Sequence, residues 1–296
     1  MPDHPRIALI GPGAIGTTIA SMLHEVGRTP LLCGRSAHPR LLLRYDDVEI
    51  VVPGPVLSDP KEVSDPCDLV FVAVKTTQNA DIVGWLSALC NENTVVCALQ
   101  NGIEQKTQLE PWVNEATVLP SVVWFPAQRE PNASVWLRAK PRLTLPDVLP
   151  AKRVIDALSG SCCAVELSAD FASVAWRKLL QNALAGLMVL ANRRAGMFSR
   201  EDIIVLAQAY LRECLTVARA EGAVLDDEVV QEIVVNYQRA SPDLGSSILA
   251  DRQANRPMEW DIRNGVIQRL GQVHGIPVPI SNVLVPLLAA GSEGPG

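Results

Sequence analysis

An apolar run, Ile7-Ala-Leu-Ile10, leads straight into Gly11-Pro-Gly13-Ala-Ile-Gly16, and a helical pattern runs from Ala14 to Glu25. Few features restrict a fold more, because a strand passing through G-x-G-x-x-G into a helix opens a βαβ unit on a parallel sheet. Each glycine has its own task. Gly11 permits the tight turn, Gly13 lets backbone approach a pyrophosphate, and Gly16 lets helix and strand pack closely. Pro12, Ala14 and Ile15 complete the loop and first helical turn, whose unpaired N–H groups and positive dipole end favour an anion. The pattern points to a bound dinucleotide. Some twenty residues on, a second strand is expected at 30–33, and an acidic residue after it would accept hydrogen bonds from an NAD ribose. Gly34-Arg35-Ser36 stands there instead. A guanidinium at that place suits the 2′-phosphate of NADP, so Arg35 is the expected selector of NADPH/NADP+, with Arg40 a candidate second cation.

Composition excludes several other classes. With 48% hydrophobic and 20% charged residues the 296-residue chain reads as globular, and its length suggests two domains. The net charge of −6 is spread without a basic block, which argues against a nucleic-acid partner. The first residues lead into a strand rather than a secretory leader, and the apolar stretch at 183–191 is about half a membrane span. The seven cysteines lack C-x-x-C spacing and include an adjacent pair, Cys162 and Cys163, which suits reduced thiols in a cytoplasmic protein. The four histidines form no ligand cluster, so no metal is expected.

Along the chain, strands are expected at 7–10, 30–33, 69–74, 95–99 and 118–123, alternating with amphipathic stretches. The unbroken run at 69–74 is that of a central strand buried on both faces. A hairpin-like texture follows around 135–137 and 142–145, then a helix at 152–158 and a strand at 164–167. From Asp170 the strand signals stop. Helices are expected at 171–191, 200–220, 226–239 and 257–274, the last closed by Gly275 and Pro277, and a frayed Gly/Pro/Ser tail from Gly291. The expected fold is α/β: a Rossmann-type, doubly wound parallel sheet over residues 1–168, followed by an all-helical domain over 169–296. An oxidoreductase with its site in the cleft between such domains is the expectation.

Ligands of open α/β sheets bind at the carboxyl ends of the strands. Two loops there carry chemistry. Lys75 directly follows the buried run and suits cofactor phosphate or ribose oxygens. Asn101, between Gln100 and Gly102, suits the nicotinamide end and a substrate oxygen.

Further motifs complete the pattern. Trp176-Arg-Lys178-Leu-Leu-Gln-Asn182 opens a long helix, Ser246-Ser247-Ile-Leu-Ala-Asp251 follows, and then Met258-Glu259-Trp-Asp261-Ile-Arg-Asn264-Gly265. With the N-terminal fingerprint, Lys75 and Gln100-Asn101-Gly102, this order resembles the ketopantoate reductase (2-dehydropantoate 2-reductase) family over nearly the whole chain. The resemblance implies an NADPH-dependent reduction of a 2-oxo acid to a 2-hydroxy acid, in pantothenate biosynthesis for ketopantoate itself, and a homodimer. It makes Lys178 the catalytic proton donor and Glu259 the glutamate that closes the site near the nicotinamide ribose. It gives substrate contacts to Asn101, Lys178, Asn182 and Ser247, and cofactor contacts to Lys75 and Asn101. A carbonyl accepting hydride develops negative charge on oxygen, and a positioned ammonium stabilises and then protonates it. Each residue also has a plainer alternative: Lys178 as an exposed helix charge, Glu259 and Arg263 as an i,i+4 pair on a solvated helix, and Ser246-Ser247 as a helix cap.

Two positions depart from the family pattern. Gly186 stands where a second asparagine is usual, four residues after Asn182, and Leu244 stands where members acting on ketopantoate carry an asparagine. Both changes suggest a roomier, less polar pocket and a bulkier or less polar 2-oxo acid or ketone, with ketopantoate still the best named candidate and Asn192-Arg193-Arg194 as an alternative anion contact. The other readings are an opine- or amino-acid-type dehydrogenase, and a non-catalytic NADPH-binding sensor.

Overall fold

The computed structural model describes residues 5–294. It divides into two compact units between Phe171 and Ala172.

The first unit runs β1 (Ile7–Ile10), α1 (Ala14–Glu25), β2 (Leu31–Cys33), β3 (Arg40–Tyr45), β4 (Val48–Pro53), β5 (Val56–Leu57), β6 (Leu69–Val72), α2 (Val83–Leu89), β7 (Val95–Ala98) and α3 (Gln105–Leu109). It continues through β8 (Thr117–Pro120), β9 (Val122–Val123), β10 (Ala127–Arg129), β11 (Val135–Leu137), β12 (Arg142–Pro146), α4 (Ala151–Leu158) and β13 (Ala164–Ser168). Six strands form one parallel sheet in the order β5-β2-β1-β6-β7-β8. Strand order reverses on either side of β1, as in a Rossmann fold. Successive residues enter opposite cores. Leu9, Leu69, Phe71 and Cys97 pack with Ile19, Met22 and Leu23 of α1, whereas Ile10, Val70, Val72 and Val96 pack with Trp85, Leu86 and Leu89 of α2. A sheet covered on both faces needs unbroken apolar strands, which β1, β6 and β7 supply.

Helix α1 also touches β3, β4, β10 and β11 of a second, four-stranded sheet. Covered by sheets on opposite sides, it buries Gly16 to Leu23 without a break. Its buried hydroxyls are satisfied along the helix, Thr18 donating to the Ala14 carbonyl at 2.9 Å and Ser21 to that of Thr17 at 2.9 Å. The second sheet departs from expectation, since no strand is expected between residues 33 and 69. Three consecutive leucines hide the period of two in Arg40-Leu-Leu-Leu-Arg-Tyr45, yet burial alternates along it. The two-residue turn Asp46-Asp47, with Asp46 at φ 50°, was the available signal. The expected hairpin of 135–137 with 142–145 is also corrected, because β11 pairs with β10 and β3 while β12 pairs with β9 and β13.

The second unit is helical: α5 (Phe171–Ala191), a short 3-10 turn (Ala195–Ser199), α6 (Glu201–Ala220), α7 (Glu228–Arg239), α8 (Ser247–Gln253), α9 (Val266–His274) and α10 (Pro279–Ser292). The helix expected at 257–274 starts late and contains a π-turn, Asp261–Gly265, immediately before α9. That extra residue per turn leaves Ile262 to Ile267 buried without a break. Gly275, at φ 65°, caps α9 as expected. The tail is a correction: α10 runs through Gly291, whose carbonyl accepts from Arg252 at 2.8 Å, and Ser292 Oγ accepts from the Met258 amide at 2.9 Å. The last two residues of that tail, and the first four of the expected lead-in, lie outside the described residues. No helix among the described residues is long and apolar enough to cross a membrane.

Candidate active site

At the carboxyl end of β1, Gly11 sits at φ +88°, and its amide donates to the Cys33 carbonyl at 2.9 Å. A Cβ on Gly11 would stand 2.6 Å from Val74 Cγ1, and one on Gly16 would stand 2.2 Å from the Gly11 carbonyl oxygen. Both glycines are therefore demanded by internal packing. Gly13 is different: its φ is −78° and a Cβ there meets nothing within 4 Å. Among the described residues nothing requires a glycine at that place, so the open side faces whatever approaches the loop. Helix α1, which begins at Ala14-Ile15-Gly16, has no acidic residue in its first turn and no side-chain cap. A dinucleotide pyrophosphate fits such an end. Pro12 packs under the next loop, its Cδ 3.0 Å from where Gly34 would carry a Cβ. Arg35 follows, exposed, two residues beyond β2, and Arg40 is exposed at the start of β3.

Adjacent loops close the row. Lys75, half-buried, heads a 3-10 turn after β6, its amide donating to Gln78 Oε1 at 3.3 Å. Asn101, half-buried, follows β7 and precedes Gly102, which needs φ 93°. Buried Gln100 ties the two loops together, donating from Nε2 to the Val74 carbonyl at 3.0 Å and to Asn79 Oδ1 at 2.7 Å. Gln105 braces the same loop from below. Its Nε2 donates to the Gln100 and Ser121 carbonyls, and its Oε1 accepts from the Ser121 amide at 2.9 Å. Gln100 was named only as part of the Gln100-Asn101-Gly102 motif, without a role, and Gln105 was not singled out from the sequence. Their signal was weak, a glutamine on each side of a turn glycine. The four loops bearing Gly11–Gly16, Arg35, Lys75 and Asn101 thus leave one end of one parallel sheet.

In the helical unit, Lys178 and Asn182 lie one turn apart on α5 and are both half-buried. The serine pair divides its work. Ser246 is the N-cap of α8, its Oγ accepting from the Leu249 amide at 3.3 Å, so Ser247 is left for other duties. Glu259 and Arg263 are no solvated pair, with side chains 5% and 3% exposed. Arg263 Nη2 donates to Glu259 Oε2 at 3.2 Å and to Ser247 Oγ at 3.0 Å. Two expected site residues are thereby joined through a third. Arg263 Nε is buried without a partner, a condition that costs about 1–3 kcal/mol. Tyr237 lies nearby, donating to the Gln181 carbonyl at 3.1 Å; burial pushes its hydroxyl up to about 12, against the opposing pull of the Arg263 charge.

Gly186 corrects the expectation of a roomier pocket. A Cβ there would stand 2.7 Å from Asn264 Nδ2, so the space is filled by a fully buried asparagine from the π-turn. Asn264 donates to the Ala183 carbonyl and to the Tyr210 hydroxyl, each at 2.9 Å, which locks the π-turn onto α5. Leu244 is 38% exposed. Arg194 donates to the Asp243 carbonyl at 2.8 Å, holding the loop before α8. All seven cysteines are free thiols. Among the described residues no group of three His, Cys, Asp or Glu could hold a metal ion.

Residues 7–149 match the family model described as ketopantoate reductase PanE/ApbA, and residues 170–292 match its C-terminal model. The chain is 51% identical over 291 residues to the 2-dehydropantoate 2-reductase of Mycobacterium tuberculosis, covering 98% of this chain and 99% of that one. It is 33% identical to the 2-dehydropantoate 2-reductase of Caulobacter vibrioides, over 96% of this chain and 98% of the relative. A solved structure of a dimeric ketopantoate reductase from Staphylococcus aureus superposes with a TM-score of 0.88 at 26% identity, covering 98% of this chain and all of that one.

Proposed function

The chain belongs to the ketopantoate reductase family and is an oxidoreductase acting on CH–OH groups, and from that premise we propose that it reduces 2-dehydropantoate to pantoate with NADPH, serving pantothenate biosynthesis. The observation that carries the reading is Gly13. It is a glycine with no internal reason to be one, at the uncapped start of α1 and at the sheet end that also bears Arg35, Lys75 and Asn101. In this reading the α1 amides hold the pyrophosphate, Arg35 pairs with the 2′-phosphate, and Lys75 and Asn101 contact the ribose and nicotinamide end. The reduced nicotinamide, when bound, supplies a hydride to the C2 carbonyl carbon of the substrate.

The helical unit supplies the proton and the grip. Lys178 donates the proton to the carbonyl oxygen as negative charge develops there, Asn182 donates to the same end of the substrate, and Ser247 donates to its carboxylate. Glu259 holds its place in this row through Arg263. With the space at Gly186 filled by Asn264, one of the two reasons for preferring a bulkier acid is removed, which supports 2-dehydropantoate as the substrate. The relative described as dimeric supports a homodimer. Lys178→Ala tests the assignment: we expect turnover of 2-dehydropantoate to fall by about 10²–10⁴-fold, with NADPH affinity, read by fluorescence quenching, unchanged. Full activity in that variant would remove Lys178 from the mechanism. NADPH binding by the wild type with no turnover of any 2-oxo acid would support the sensor instead.

A further inference from the structure

Arg263 is a buried charge to which the reading above gives only the placing of Glu259. A guanidinium that merely neutralised Glu259 would engage it with the Nε/Nη2 fork, which matches a carboxylate edge. Here the geometry is otherwise. One nitrogen, Nη2, is divided between Glu259 Oε2 at 3.2 Å and Ser247 Oγ at 3.0 Å, and Nε has no partner although it is buried. The same nitrogen reaches both the carboxylate and the serine.

That contact changes what Ser247 can do. A serine hydroxyl is both donor and acceptor, but an arginine only donates. Ser247 Oγ must accept from Arg263, so its own proton is directed away from the guanidinium. Ser246 caps the helix, which leaves Ser247 clear of that duty, and the residue is exposed. A cationic donor also polarises the hydroxyl it bonds, strengthening the next bond in the chain. An ionised carboxylate, which has only acceptors, is the group such a hydroxyl serves best.

We propose that Arg263 is a positioning residue that makes Ser247 an obligate, polarised hydrogen-bond donor and so sets the enzyme's preference for the carboxylate of a 2-oxo acid over a neutral 2-oxo compound. This inference rests on the reductase reading. It assigns the selectivity to a pair, Arg263 acting through Ser247, while the Glu259 contact keeps the buried guanidinium neutralised.

The test is a steady-state double-variant cycle with NADPH and 2-dehydropantoate, using Ser247→Ala, Arg263→Lys and both together. A lysine keeps the charge beside Glu259 but, as a single ammonium, loses the fixed planar fork. Each single variant should raise KM by about tenfold to a hundredfold, with kcat changed much less and NADPH affinity unchanged. The double variant should be no worse than the worse single one. An unchanged KM in Arg263→Lys, or losses that multiply in the double variant, would overturn the proposal. Should Arg263→Lys fail to fold, Ser247→Ala decides by comparing 2-dehydropantoate with its neutral methyl ester. A loss confined to the acid supports the obligate donor, and an equal loss on both overturns it. A wild type silent on every 2-oxo acid sinks the reductase reading itself, which separates that failure from this one.

Discussion

Gly13 and Gly16 stand three residues apart in one loop, and the structure separates their reasons. A Cβ on Gly16 would lie 2.2 Å from a backbone oxygen, whereas one on Gly13 meets nothing. Gly16→Ala should therefore lower the melting temperature sharply or prevent folding, since a clash with backbone cannot be relieved by a rotamer. Gly13→Ala should melt like the wild type yet bind NADPH more weakly, by about tenfold or more, because the added methyl meets only the ligand. Equal effects of the two changes on stability would contradict this division. Gly186 belongs at the same scale. Introducing the family's asparagine there drives a side chain into Asn264, so Gly186→Asn should cost about 1–3 kcal/mol in urea unfolding and bring no gain in turnover. Sequence alone could register that Gly186 departs from the pattern. It could not show that a residue 78 positions later in the chain had taken the space.

Helix α10 shows the same limit among elements. Its N-terminus is held by Glu213 of α6, whose carboxylate accepts from the Ile280 and Ser281 amides, each at 2.8 Å, and from Ser281 Oγ at 2.6 Å. A cap supplied from another helix leaves no mark in the local sequence, and Pro286 lies within the helix, where proline removes a backbone hydrogen bond. Glu213→Ala should lower the melting temperature by a few degrees, corresponding to about 1–2 kcal/mol; an unchanged melt would show that packing alone holds α10. The elements that were legible are those with a strong internal period or an unbroken apolar run: β1, β6 and β7 in the sheet, and α5 through its full length. The strands β3 and β4 were hidden by Leu41-Leu42-Leu43, and the π-turn was hidden because one extra residue does not disturb a helical pattern. Arg263 and Asn264 lie buried in the π-turn, so the bond from Arg263 to Ser247 was beyond sequence reasoning, although the i,i+4 pairing of Glu259 with Arg263 was legible.

Across the molecule, the buried thiols of the first unit give stability a pH dependence. Burial pushes Cys33, Cys90, Cys97 and Cys163 up to about 12, and Cys67 to about 11, from an ordinary 9.0. Below about pH 9 both folded and unfolded chains keep these protons. Above it the unfolded chain releases them first, so stability falls as pH rises toward 12, by up to about 1.4 kcal/mol per pH unit for each thiol. Urea midpoints should therefore decline between about pH 9 and about pH 10.5, and a flat profile would contradict the burial of these groups. The two units carry complementary parts of the proposed chemistry, with Gly13, Arg35, Lys75 and Asn101 on the first and Lys178, Asn182, Ser247 and Glu259 on the second. The proposed NADPH-dependent reduction is tested most directly by the initial rate of nicotinamide oxidation with 2-dehydropantoate, run in parallel with NADPH and NADH. It predicts rapid turnover with NADPH and a kcat/KM at least about tenfold lower with NADH, the preference disappearing in Arg35→Ala. Equal use of the two cofactors by the wild type, or no turnover of 2-dehydropantoate with either, would contradict it.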